Sequence, residues 1–162
     1  MKTLLIVRHA KSSWSDIGVS DFDRPLNERG LTDAPVMAQK MLQEKQQLEA
    51  IYSSSAKRAM QTAKFFQKLH GVESQNFTEI LSLYHASETE ILQQVKKIDP
   101  KYSCVALFGH NPGLSYFVGQ ICQIAFLDIP TCGVVKMDFN SDWSNCSAET
   151  LVEYKMYFPK LL

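Results

Sequence analysis

The sequence predicts an α/β fold: a three-layer α/β/α sandwich around a mostly parallel central sheet. Three observations carry that expectation. Apolar runs of strand length alternate with stretches whose apolar residues recur at helical spacing. Residues 3–7 and 104–108 are continuously apolar, as in strands buried on both faces. The 162 residues are 45% apolar, enough to build a core without staples, and their number fits one domain over residues 1–162.

The first strand, over 3–7, runs into a polar, turn-rich stretch over 8–31 that includes Ser12, Ser13, Asp16, Gly18, Asp23, Pro25, Asn27 and Gly30. A loop of that length in a compact domain usually serves a function. A helix is expected from about Thr32, with Thr32 as N-cap and Asp33 in the first turn. Pro35 is tolerated there only because it falls early, and Val36, Met37, Met41 and Leu42 form the apolar stripe. Residues 48–52 read as a second strand. The serines at 53–55 offer an N-cap, and Ala59, Thr62, Ala63, Phe66 and Leu69 keep helical spacing up to Gly71, a stop. Residues 77–83 form a short strand or an extended segment. Ser87 and Glu90 make a capping box for a helix through Ile91, Leu92, Val95 and Ile98, ended by Pro100. After the strand at 104–108, residues 109–113 turn into a helix carrying Leu114, Phe117, Val118 and Ile121. Two last strands, 133–139 and 151–158, flank a polar turn over 140–145.

Lys and Arg together number 17, as do Asp and Glu, so the formal charge is zero. That balance argues against a general electrostatic hold on nucleic acid or an anionic membrane, and leaves room for one small positive pocket. No stretch approaches the ~18 apolar residues of a transmembrane helix. The apolar start at 4–7 runs straight into Arg8-His9, too short for a signal core, so the expected compartment is the cytoplasm. Cys104, Cys122, Cys132 and Cys146 form no C-x-x-C pair and are expected to be reduced thiols; the first three sit in apolar contexts as buried small hydrophobes.

Chemistry concentrates where strands end. In a parallel sheet, ligands bind outside the carboxyl ends of the strands. The first strand ends in Arg8-His9-Ala10-Lys11. The second leads to Lys57 and Arg58 in the first turn of a helix. The later one ends in Gly109-His110-Asn111-Pro112-Gly113. If these segments share one rim, they bring together two arginines, two histidines and a helix N-terminus. Arginine forks and free N–H groups suit a phosphoryl group. No P-loop pattern is present, and neither metal nor cofactor is needed. A neutral imidazole can then attack, provided one ring nitrogen is free and the other is tied down. His9, at the end of a buried strand, is well held for that.

Val7-Arg8-His9-Ala10 resembles the R-H-G/A signature of the histidine phosphatase superfamily. The segment 55–63 resembles that family's S-P-x-x-R-A-x-Q-T-A helix start, and Gly109-His110-Asn111-Pro112 its second histidine motif. The short chain is similar to the SixA-type phosphohistidine phosphatases. So are the segments Arg8-His9-Ala10-Lys11-Ser12-Ser13-Trp14, Asp23-Arg24-Pro25-Leu26-Asn27, Leu83-Tyr84-His85-Ala86 and Ile129-Pro130-Thr131. The motifs run in order from residue 4 to about 160.

The resemblance implies a phosphoglycerate mutase-like fold and a phosphatase acting without metal or cofactor. His9 would be the nucleophile, Arg8 and Arg58 the clamp on the phosphoryl oxygens, and His110 the stabiliser of the transferring group. Lys11, Arg24, His85 and Asn111 are candidate substrate contacts. Lys11 reads equally as a rim charge, Arg24 as an ion pair with Asp23 that pins the long loop, and His85 as pocket wall or acid. Ala56 replaces the family's usual Pro. Over residues 81–86 there is no carboxylate to match the acid of ester-cleaving members, and Glu79 and Glu88 only flank the place. An alkoxide leaves poorly without an acid, whereas imidazole leaves a P–N bond readily. The expected substrate is therefore a phosphohistidine in a protein. A small phosphate ester on the same site is the first alternative, and a non-catalytic phosphoprotein-binding module the second. A zinc hydrolase using His9, His85 and His110 lacks the H-x-H or H-E-x-x-H spacing.

Overall fold

The computed structural model describes residues 1–161. Strands β1 (Lys2–Arg8), β2 (Ala50–Ser54), β3 (Phe77–Ile80), β4 (Cys104–Gly109), β5 (Val134–Phe139) and β6 (Leu151–Tyr157) form one six-stranded sheet in the order β3-β2-β4-β1-β5-β6. The first four are mutually parallel. β5 runs antiparallel to β1, and β6 antiparallel to β5.

Alternation along β1 splits the core into two layers. Leu5 and Val7 pack with Met37, Ala38 and Met41 of α1 (Glu28–Gln43) and with Ala63 and Phe66 of α2 (Lys57–His70). Leu4 and Ile6 pack with Ile91 and Val95 of α3 (Glu88–Lys96) and with Leu114, Phe117 and Val118 of α4 (Gly113–Cys122). Each of these large side chains contributes roughly 1.5–3 kcal/mol when fully buried. Phe66 meets Phe108 edge to face at 5.0 Å, tying α2 to β4.

Several boundaries differ from the sequence expectation. Helix α1 begins at Glu28, a turn before Thr32, because Asn27 is the N-cap and accepts from the Gly30 N–H. Pro35 therefore lies well inside the helix, and the carbonyl it leaves unserved belongs to exposed Leu31, where water can reach it. Ser53 and Ser54 complete β2 instead of capping a helix, and the N-cap of α2 is Ala56, with no side-chain cap. Gly71 stops α2 in the left-handed region (φ 68°), and Ser87 and Glu90 form both bonds of the capping box. Helix α3 ends at Lys96, before Ile98 and Pro100. Cys132 and Cys146 are buried, while Cys104 and Cys122 are half-buried; all four are free. Burial pushes their thiols up, that of Cys104 to about 12 and that of Cys122 to about 11, so they stay protonated at neutral pH. No helix of the described residues is long and apolar enough to cross a membrane.

Strand register positions the site. Arg8 pairs with Gly109 across β1 and β4, and Ser53 with Phe108 across β2 and β4. His9 and His110 thus follow one row later on adjacent strands, and Ser54, level with Arg8 and Gly109, ends the next strand beside them. The long loop is tied back over this rim. Ser12 bridges to Leu26, the Ser13 N–H donates to the Pro25 carbonyl, and the Asn27 N–H donates to the Lys11 carbonyl.

Gly113 opens α4 under the carbonyl of Ala86, so close that a Cβ there would overlap the oxygen. Gly113→Ala must push aside the segment carrying Tyr84 and His85. Urea unfolding should show a loss of about 2 kcal/mol, in the range of overpacked sites.

Candidate active site

His9 leaves the end of β1 with its ring fixed at both nitrogens. Nδ1 lies 2.8 Å from the Ala10 carbonyl oxygen, which can only accept, so Nδ1 carries the proton. Nε2 therefore keeps its lone pair and accepts from Arg58 Nε at 3.4 Å. The Ala10 N–H donates to Thr62 Oγ1 at 3.0 Å, and Thr62 donates to the Arg58 carbonyl at 2.8 Å. The backbone after His9 is thus locked to the helix that presents Arg58.

Arg58 sits in the first turn of α2, its side chain only 6% exposed. Nη1 donates to the Asp21 carbonyl at 2.6 Å and Nη2 to Asp21 Oδ2 at 3.1 Å. Arg8 donates from Nη1 to the Ile129 carbonyl at 2.9 Å, and its buried Nε has no partner. Arg24 is also buried. It donates to Ser12 Oγ at 2.5 Å and to Asp21 Oδ1 at 3.1 and 3.0 Å, with its guanidinium 3.6 Å from the centre of the Trp14 ring.

His110 faces His9, with ring centroids 5.1 Å apart. Its Nε2 lies 2.8 Å from Ser54 Oγ, and its buried Nδ1 has no partner. Ser54 Oγ already accepts the Ala56 N–H, so its own proton is available to His110 Nε2. With Ser54 as donor, Nδ1 carries the ring proton and can offer it to an oxyanion. Burial is the main cause that lowers both histidines to about 3, and nearby Arg58 adds to it in each. At neutral pH both rings are neutral. A neutral His9 can attack without a base, and the partnerless N–H groups of Arg8 and His110 are buried donors that a phosphoryl oxygen would satisfy.

The four residues expected to do chemistry, Arg8, His9, Arg58 and His110, stand together at one rim. The candidate contacts divide. His85, left-handed at φ 68°, stacks on Tyr84 at 3.8 Å and lines a cavity of about 260 Å³ with His110, Glu88 and Tyr116. Asn111 borders the same cavity, but its amide is spent on structure. It donates to the Ile129 carbonyl and to Asp128, and accepts from Ser115. The Lys11 side chain is exposed and makes no hydrogen bond or ion pair among the described residues. Glu79 is exposed on edge strand β3 and Glu88 lies on the cavity wall. Arg24 pairs with Asp21 rather than Asp23, because Asp23 turns to the Ser20 hydroxyl.

Asp21 and Ser54 are the residues that sequence reasoning missed. Asp21 precedes Arg24 by three residues, the spacing of one turn, and that was the available signal. It accepts from Arg24, Arg58 and Tyr84, whose hydroxyl donates to Oδ2 at 2.5 Å. The Tyr84 bond first, then the two arginines, hold its carboxyl far below the usual carboxylate range.

A family model described as histidine phosphatase superfamily (branch 1) matches residues 4–81. An uncharacterised chloroplastic protein of Arabidopsis thaliana is 30% identical over 156 residues, covering 91% of this chain and 71% of that protein. Phosphoserine phosphatase 1 of Hydrogenobacter thermophilus is 33% identical over 104 residues, covering 63% of this chain and 47% of its own length. Among solved structures, the Agrobacterium tumefaciens protein assigned as phosphohistidine phosphatase SixA superposes with a TM-score of 0.78 at 25% identity, covering 95% of this chain and 97% of that one. The protein histidine phosphatase SixA complexed with tungstate gives a TM-score of 0.81 at 17% identity, with 98% of each chain covered, and so shares the fold. The chain belongs to the histidine phosphatase superfamily and has its phosphoglycerate mutase-like fold.

Neutral histidines in the folded state make a pH prediction. Below about pH 6.5 the unfolded chain takes up protons on His9 and His110, whereas the folded chain does not until about pH 3. Stability is full above 6.5 and falls as pH drops through that window. Urea unfolding at pH 7.5 and pH 5 should show a loss that is smaller in the His9→Gln/His110→Gln variant. An NMR titration should leave the His9 ring unchanged between pH 5 and 8.

Proposed function

We propose that the chain acts as a single domain, a metal-independent phosphatase that carries the phosphoryl group on His9 and takes it from a phosphohistidine in a protein. One observation supports this reading above the others: the fixed tautomer of His9, with Nδ1–H on the Ala10 carbonyl and an unprotonated Nε2 that accepts from Arg58. Arg58 Nε–H turns from Nε2 to a phosphoryl oxygen, the freed Nε2 lone pair attacks phosphorus, and the P–N bond of the substrate breaks. Its electron pair returns to the departing imidazole, which leaves neutral if its other nitrogen is protonated. Arg8, through its free Nε–H, and Arg58, through Nε–H, neutralise the equatorial oxygens, with Arg24 adding positive field from behind. His110 offers its Nδ1 proton to a further oxygen. Water then hydrolyses the phosphohistidine, and inorganic phosphate leaves.

The leaving-group side favours a P–N over a P–O bond. Ionised Asp21 has no proton to give, and the Tyr84 hydroxyl is directed at Asp21. Exposed Glu79 makes no bond to the site. His85 and Tyr116 form a cavity wall suited to an imidazole ring on a bulky partner. A small phosphate ester on the same site is the second reading, favoured by the similarity to the protein named phosphoserine phosphatase 1.

The test is phosphate release with chelator present, from a histidine-phosphorylated protein and from p-nitrophenyl phosphate. The P–N substrate should turn over, His9→Ala should abolish release, and Arg58→Ala should lower kcat by roughly 10²–10³, the cost of one lost oxyanion donor. Turnover of the ester alone would move the assignment to the second reading. Loss of activity on chelation would overturn metal independence.

A further inference from the structure

Asp21 is more than a tether for arginines. Its carboxylate is held by Arg24, by Arg58 Nη2 and by the Tyr84 hydroxyl, with its side chain 43% exposed at the mouth of the site. Only the Arg58 guanidinium separates it from the nucleophile, since the same group reaches His9 Nε2 through Nε. Tyr84, which grips Asp21, also walls the mouth, its ring 5.5 Å from that of His110 and 3.8 Å from that of His85. A negative charge is thus fixed at the mouth of a site otherwise dominated by Arg8, Arg24 and Arg58. If phosphoryl binding alone mattered, a carboxylate here would be a liability, because it repels the dianion and occupies Nη2 of Arg58, while the Asp21 backbone carbonyl takes Nη1.

Resting on the reading of this rim as a phosphoryl-transfer site, we propose that Asp21 is a specificity-determining residue. It selects substrates by the charge of the group attached to the phosphoryl, favouring a positive one and disfavouring a negative one. A phosphohistidine protonated on its second ring nitrogen is a positively charged case; a phosphorylated carboxylic acid is the opposite. Two unit charges a few ångströms apart at a protein surface interact strongly enough for about a tenfold effect on affinity.

The experiment compares two ligands that share the phosphate ester and differ in the sign of the attached charge, phosphocholine and phosphoglycolate. Their dissociation constants are measured by calorimetry for wild type, Asp21→Asn and Tyr84→Phe. Loss of the carboxylate should shift the ratio of the two constants about tenfold toward phosphoglycolate, while Tyr84→Phe, which keeps the charge, should leave the ratio in place. Should Asp21→Asn fail to fold, Asp21→Ser removes the same charge with less bulk and should give the same shift. A merely structural role weakens both ligands alike, so a ratio that moves less than twofold overturns the proposal. Failure of folded wild type to bind either ligand removes the anion site and overturns it too. Neither ligand contains a P–N bond, so the outcome is separable from the choice of substrate. A shifted ratio without turnover of phosphohistidine would sustain Asp21 and sink the phosphohistidine reading. Turnover of phosphohistidine with an unmoved ratio would do the reverse.

Discussion

The hydrogen bond from His9 Nδ1 to the carbonyl of Ala10 is the constraint on which the site depends. A free imidazole samples both tautomers and many orientations. Here a backbone oxygen one residue away selects one tautomer, and the neighbouring N–H of Ala10 is pinned to Thr62. The lone pair on Nε2 is thereby aimed into a cluster of arginines. Burial and those arginines keep the ring unprotonated, so charge suited to a phosphoryl group also keeps the proposed attacker ready. A histidine in water at the same pH would be partly protonated and free to turn.

That bond depends on the sheet. β1 lies between β4 and β5, buried on both faces, and Arg8 is its last residue. Parallel pairing with β4 brings the next residue level with the end of a second strand, where His110 follows Gly109. Pairing of β2 with β4 sets Ser54 level with Gly109, within reach of His110. Three residues far apart in the chain become neighbours through strand register. Arg58 arrives by a different route, on a helix whose first turn follows directly from β2.

Much of this was legible in the residues. Continuous apolar runs marked β1 and β4, and polar residues at their ends marked the rim. The capping box at Ser87 and the glycine at position 71 marked helix ends, because each depends on contacts within a single turn. The start of α1 was less legible, since Asn27 and Thr32 both have side chains able to cap and only tertiary placement chose between them. The serines at 53–55 read as a cap because three hydroxyls in a row suit a helix start; in the fold, two of them belong to the strand and one serves His110. Asp21 was hard to read for a related reason, its only signal being its spacing from Arg24. A carboxylate in a polar loop looks solvated until the loop folds back and sets it against Arg58, 37 residues away in sequence. The participation of Asn111 in substrate contact was plausible from its place beside His110, but its amide is consumed by the 128–129 segment that also receives Arg8.

The central claim is that His9 Nε2 takes the phosphoryl group. It is tested most directly by quenching the enzyme in alkali during turnover of a phosphorylated substrate and locating the modification by peptide mass spectrometry and phosphorus NMR. Phosphoryl is expected on His9 alone, bonded at Nε2, and none on the His9→Ala protein. Phosphoryl at Nδ1, on His110 or on His85, or continued turnover by His9→Ala, would contradict it.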